Sequence, residues 1–321
     1  MNVWIKGNDN KIMALITLIL GILVPIIWSE SPYTILVGCY IINYSIAISG
    51  FDVLVGFSGQ ISLGHAAYYC IGAYGSAMLH KFTGIPVFFT MLIATVGATI
   101  IGSLIAWPTT KLVEHFMALA TIAFGMIVFQ LINTSPGRIT GDANGFYTVS
   151  LSLFDYEINT YTKFYYFSFI VLLFFLLIKY NLLHSRVGRA MLAIRENDHA
   201  ANGMGVNVRY YKIIAFAVSA FTTAYAGALF AHLMKYISPD SFRFTLSVMF
   251  LTMLLFGGAS SMSGPIIGVT LVSVLNEILR PASSYKMLVY GVLLLFVILI
   301  FPGGMVGILQ GIRTKLKTRG Q

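Results

Sequence analysis

Between positions 55 and 73 the chain reads VGFSGQISLGHAAYYCIGA. Gly56, Gly59 and Gly64 are spaced to interrupt a helix, and Ser58, Gln60, Ser62 and His65 place hydrogen-bonding groups at the interruption. A second such stretch, LFGGASSMSGPIIG from 255 to 268, carries Gly257, Gly258, Ser263 and Gly264. Hydroxyls, an amide, an imidazole and freed backbone dipoles can bind or pass a polar solute. The pattern predicts two breaks that form a translocation path or its gates. Small residues also line tight helix contacts in membranes, and close packing is the competing reading.

Other chemistry is sparsely represented. The histidines at 65, 80, 115, 184, 199 and 232 show no metal-ligand spacing, and no GxxxxGK[ST] phosphate loop occurs. We expect no metal, no cofactor and no catalytic residue in this chain, and no ATP hydrolysis of its own. Asp52 sits at a span end beside the first break, Glu114 and His115 open a later span, and Glu277 lies one turn before Arg280. A chain of acids crossing the bilayer is missing, which argues against transport driven by protons or sodium.

The elements that position these breaks must lie in lipid. Hydrophobic residues make up 58% of the 321 positions and charged residues only 10%, well below the roughly 25% of soluble domains. So little charge cannot cover a soluble core of this size. The net charge of +9 reflects basic membrane-flanking loops; no basic groove with stacking aromatics points to nucleic acid. Cys39 and Cys70 lie in apolar runs and form no disulfide framework.

Apolar runs recur near 12–28, 33–50, 66–80, 86–106, 112–133, 163–180, 213–233, 244–258, 263–279 and 286–303. The fold class expected is an all-α polytopic membrane protein of about ten transmembrane helices, a single permease domain over 1–321. Two halves of five helices, one break in each, suggest an inverted repeat with discontinuous helices. The run 12–28 lacks a small-residue cleavage site and reads as an uncleaved first span. Arg186, Arg189, Arg195, Arg209 and Lys212 place the loop 181–212 in the cytoplasm, and the basic tail after Gly311 joins it. Both termini are then cytoplasmic. The polar, turn-rich segment 134–162 is external and predicts a small ordered cap or surface strands.

The loop 181–212 contains RAMLAIRENDHAAN, a good helix former, followed by GMG. Arg195, Glu196 and Asp198 form a charged face; Met191, Leu192, Ile194, Ala200 and Ala201 form an apolar one. Gly203 and Gly205 end the helix. A capped helix with a mixed face, lying outside the bilayer, predicts a docking element for a soluble partner.

At this point the sequence resembles a known family. GFSGQISLGHAAYYCIGAYGSAML at 56–79 is similar to the signature of LivM-type permease subunits of branched-chain amino acid ABC importers. AIRENDHAANGMGVNVRYYKIIAFAVSAFTTAYAGALFAH at 193–232 resembles that family's coupling loop and following span, and GPIIG at 264–268 and FPGGMVGIL at 301–309 its closing segments. The resemblance implies a bacterial inner-membrane importer with two ABC ATPase subunits, a second, LivH-like permease and an external solute-binding protein. It places the family's glutamate-alanine-alanine coupling core on Glu196, Ala200 and Ala201, with its glycine at Gly203 or Gly205. His199 stands where an aliphatic residue is usual. A sister cargo, urea or short amides, fits the same features, and a passive channel is the alternative from another class.

Overall fold

The computed structural model describes residues 31–280 except 113, 154 and 155, with isolated positions among 21–25 and 288–305. The expected spans near 12–28 and 286–303, the segment 301–309 and the basic tail lie outside the described residues apart from those isolated positions. Every apolar run expected from 33 to 279 folds as a helix. In chain order the helices are α1 (Pro32–Asp52), α2 (His65–Thr83), α3 (Val87–Thr109), α4 (Glu114–Thr134), α5 (Tyr161–His184), α6 (Arg186–Glu196), α7 (Asp198–Gly203), α8 (Val208–Met234), α9 (Phe244–Gly257) and α10 (Gly264–Ile278). Five segments, built on α1, α3, α4, α5 and α8, are long and apolar enough to cross a bilayer. Helices α9 and α10 are apolar but shorter. The chain is an all-α, multi-pass membrane protein.

Helices α1 and α8 form the centre. About 67% of the apolar window of α8 is buried, against 17% for α4. The reason lies in side-chain size. α8 carries Ala215, Ser219, Ala220, Ala224, Ala226, Gly227, Ala228 and Ala231, all buried, so neighbouring backbones come close. A Cβ on Gly227 would lie 1.9 Å from the Tyr69 carbonyl oxygen, and one on Gly72 of α2 would lie 1.9 Å from that of Ala224. Between lipid-like surfaces, association depends on such contact and on hydrogen bonds. Asn43 of α1 supplies one, donating to the Ala226 carbonyl at 2.8 Å and accepting from the Tyr69 hydroxyl at 2.7 Å. The outer helices turn large apolar residues outward, among them Leu104, Leu119, Leu131, Ile170 and Leu177. A surface of that kind suits hydrocarbon.

Helices α1, α3 and α5 run one way and α2, α4 and α8 the other. One end of the bundle carries the segment 135–160. There Phe146–Tyr147 (β1) pairs antiparallel with Tyr236–Ile237 (β4), and Ser152–Leu153 (β2) pairs with Tyr156–Glu157 (β3). Thr148 Oγ1 donates to the Ala231 carbonyl at 2.7 Å, and His232 bridges the Val149 carbonyl and Ser76 Oγ at 2.9 and 2.8 Å. The strands are thereby clasped onto the ends of α2 and α8. The opposite end carries α6 and α7.

One expectation needs correction. The single helix expected through Arg189–Asn202 is two. Asn197 takes extended backbone angles and its side chain accepts from Ala200 N at 2.9 Å, capping α7. An asparagine that satisfies a helix N-terminus competes with continuation of the preceding helix.

Candidate functional site

The first break begins where α1 becomes a π-helical turn, Val53–Phe57, and continues without regular structure from 58 to 64. Most of its polar side-chain atoms are engaged in holding it, Gln60 Oε1 excepted. Ser58 Oγ donates to the Leu54 carbonyl at 2.8 Å, and Gln60 Nε2 donates to Ser58 Oγ at 2.7 Å and to the Lys212 carbonyl at 3.3 Å. Ser62 Oγ lies 3.1 Å from His65 Nδ1, and His65 Nε2 lies 2.7 Å from Ser219 Oγ of α8, all three buried. Leu63 N donates to Thr121 Oγ1 at 3.0 Å. Irregular backbone at membrane depth requires such satisfaction.

The second break spans 258–263, between α9 and α10. Gly258 has φ +104° and Ser260 φ +62°, a left-handed conformation unusual for serine. Ser261 Oγ closes the turn, donating to the Gly258 carbonyl at 2.9 Å and accepting from Gly264 N at 2.8 Å. Gly257 and Gly264 let the flanking helices meet: a Cβ on Gly257 would lie 1.9 Å from the Gly264 carbonyl. Ser263 precedes α10 without capping it by its side chain.

The two breaks touch, and charge fastens them. Lys179 of α5 donates to Asp52 Oδ2 at 2.7 Å and to the Ser261 carbonyl at 3.1 Å. Asp52 Oδ1 accepts from Ser260 N at 2.7 Å, and Ser260 Oγ donates to the Gly56 carbonyl at 2.6 Å. Asp52 is fully buried and Lys179 3% exposed. Only glycine fits at 56, where a Cβ would lie 2.0 Å from Asp52 Oδ1 and 2.6 Å from Ser260 N. Removing one partner of a buried pair typically costs about 3–5 kcal/mol, because the other charge stays behind.

The loop helices join this knot. Ser185 caps α6, accepting from Val187 N at 3.1 Å. Met191 of α6 packs with Val53 and Leu54 of the π turn and with Phe216 of α8, all buried. Arg195 donates through Nη1 to Ser260 Oγ, and Gly59, at φ +72°, lies against the Arg195 side chain. Lys212 pairs with Asp198. A cleft of about 30 Å³ lined by Ser58, Gly59, Gln60 and Arg195 remains here, room for little more than water.

The residues expected to meet a soluble partner therefore divide. Arg195 and Asp198 make contacts within the chain, and Ala201 is buried. Glu196, Ala200, Gly203 and Gly205 are exposed, together with His199, Asn202 and Met204, the last 86% exposed. Gly64 packs under α4, its Cβ position 2.3 Å from the Thr121 carbonyl.

Sequence reasoning singled out Asp52 but missed Lys179 and the part played by Ser260. A signal existed. Lys179 is a lone cation near the end of the run SFIVLLFFLLIKY, and Asp52 a lone anion in ISGFDVLVG. Isolated opposite charges within apolar spans pair with one another.

Known proteins are similar to this chain over most of its length. The high-affinity branched-chain amino acid transport system permease protein LivM of Escherichia coli strain K12 is 29% identical, over 92% of this chain and 74% of that protein. The corresponding LivH permease of the same strain is 26% identical, over 83% of this chain and 91% of that one. A solved chain titled PsaBC from Streptococcus pneumoniae in complex with Fab covers 84% of this chain at 14% identity and a TM-score of 0.45. Residues 33–298 match the family described as branched-chain amino acid transport system, permease component, and the chain belongs to that family.

Proposed function

We propose that this chain is the LivM-type permease subunit of an ATP-driven importer that moves branched-chain amino acids across a bacterial plasma membrane. It works with two ATPase subunits, a LivH-like second permease and an external solute-binding protein. Ten spans in two inverted five-helix halves complete the reading, with both termini and the loop 181–212 in the cytoplasm and the segment 134–162 outside. ATP is hydrolysed by the partner subunits, and this chain has no nucleotide site of its own.

The observation that carries the reading is the mechanical continuity of the loop helices with both breaks. The tip of α7 protrudes, while the opposite face of α6 packs on the π turn through Met191 and reaches the second break through Arg195. A soluble motor gripping the exposed Glu196, Ala200, Gly203 and Gly205 would move both breaks together. Coupling of this sort needs two arrangements with different affinity for nucleotide and binding protein.

Glu196→Lys combined with Met204→Asp tests this at the exposed tip. The variant should reach the membrane in normal amount, lose ATPase copurification and abolish uptake of labelled leucine. Undiminished ATP-driven uptake refutes the docking assignment; uptake of labelled urea in place of leucine by the unaltered importer refutes the cargo.

A further inference from the structure

Above the first break, toward the strand-capped end of the bundle, lies a cavity of about 340 Å³, within the range of small-molecule sites. It lies among α4, the head of α2 and the start of α9. Its floor is Leu63 and Ala66, at the first break itself. Met126 and Phe129 of α4 and Phe244 of α9 supply apolar lining, and Asn133, Asp240 and Arg243 stand at the rim.

We propose that this cavity is a substrate subsite for a zwitterionic α-amino acid with a branched aliphatic side chain, read by Asp240 and Arg243 at the rim and by Met126, Phe129 and Phe244 within. The proposal rests on the importer reading and locates its cargo.

The charges are correct for the two ends of an amino acid. Arg243 presents a planar guanidinium suited to a carboxylate, and Asp240 presents a carboxylate suited to an ammonium. They bond to each other, Arg243 Nη2 and Nε donating to Asp240 Oδ1 at 2.8 and 3.1 Å. Both side chains are well exposed, 59% for Arg243 and 65% for Asp240, so the pair is weak and exchanges partners readily. The Arg243 guanidinium lies 6.0 Å from the Phe129 ring centre, which keeps it over the cavity wall.

The floor joins recognition to the gate. Ala66 N donates to Ser247 Oγ of α9 at 2.9 Å, and Leu63 N donates to Thr121 Oγ1 of α4 at 3.0 Å. A Cβ on Gly125 of α4 would lie 3.6 Å from Gly64 Cα. Helices α4 and α9 are thus tied to the break from either side. Beneath it run Ser62, His65 and Ser219, fully buried. The aliphatic end of a bound amino acid would rest on the segment whose movement opens the way.

A leucine analogue carrying a diazirine in its side chain tests the site in the complete importer, reconstituted in nanodiscs without nucleotide or binding protein. Irradiation should label residues within 121–133 or 242–247. Excess leucine should suppress that labelling at least tenfold. Leucinamide, which lacks the carboxylate, and 4-methylvalerate, which lacks the ammonium, should compete at least tenfold less well. Asp240→Asn and Arg243→Gln should each reduce labelling at least fivefold while ATPase copurification is retained. Labelling confined to other residues, no labelling, or equal competition by 4-methylvalerate overturns the subsite. ATP-driven leucine uptake by the unaltered importer is measured in parallel: its absence overturns the importer reading, whereas its presence with no labelling here overturns the subsite alone.

Discussion

The two breaks solve the same problem by different means. The first is braced from within: Ser58, Gln60, Ser62 and His65 bond to its own backbone, to one another and to α8. The second is short, carries unusual backbone angles at Gly258 and Ser260, and depends on groups brought from elsewhere, namely Asp52, Lys179 and Arg195. One is braced largely by its own side chains and by α4 and α8; the other is held chiefly by a clamp. A clamp can be released by moving its holders, and α6 is one of them.

That contrast is most sharply broken at the buried pair. Lys179→Met leaves the Asp52 carboxyl without its cation and should destabilise the bundle by about 3–5 kcal/mol. Asp52→Leu with Lys179→Met should recover much of that loss while leaving the second break unfastened. Thermal unfolding in detergent reports the first effect, and proteolytic sensitivity at 258–263 the second. Melting of both variants at the temperature of the unaltered protein would show that the clamp's charges contribute little.

A smaller effect is expected at Gly56. Gly56→Ala forces a methyl between Asp52 and Ser260 and should cost about 1–3 kcal/mol, the usual range for overpacking. Its hallmark is location: protease accessibility should rise at the second break more than at the first. The smallest effect belongs to the half-exposed Asp198–Lys212 pair, where Asp198→Asn should shift stability by at most about 1 kcal/mol. A large loss there would place the loop helices inside the clamp's energetics.

The apolar runs made α1 to α5 and α8 to α10 legible, because hydrocarbon demands long apolar segments whatever the tertiary arrangement. The breaks were legible too, since glycines and hydroxyls are conspicuous among leucines. That the breaks meet was not. Asp52 and Ser260 are separated by 208 positions, and nothing local to either names the other. Gly257 and Gly264 show why composition alone is ambiguous: they serve close backbone approach between α9 and α10, the competing reading, beside a turn that takes part in the clamp. The loop helix was found but its interruption at Asn197 was not, because asparagine is tolerated inside helices and only its side-chain bond to Ala200 reveals the cap. The cavity could not be read at all. Its rim comes from 240–243 and its floor from 63–66, brought together only by the packing of α2 against α9.

The order of synthesis gives the Asp52–Lys179 pair a further meaning. The acid emerges from the ribosome long before its lysine, and the serine that completes the arrangement emerges later still. A carboxyl buried without its partner is disfavoured, and Asp52 is fully buried. The pair can therefore form only once α5 has been made, and the contact to Ser260 only after α9.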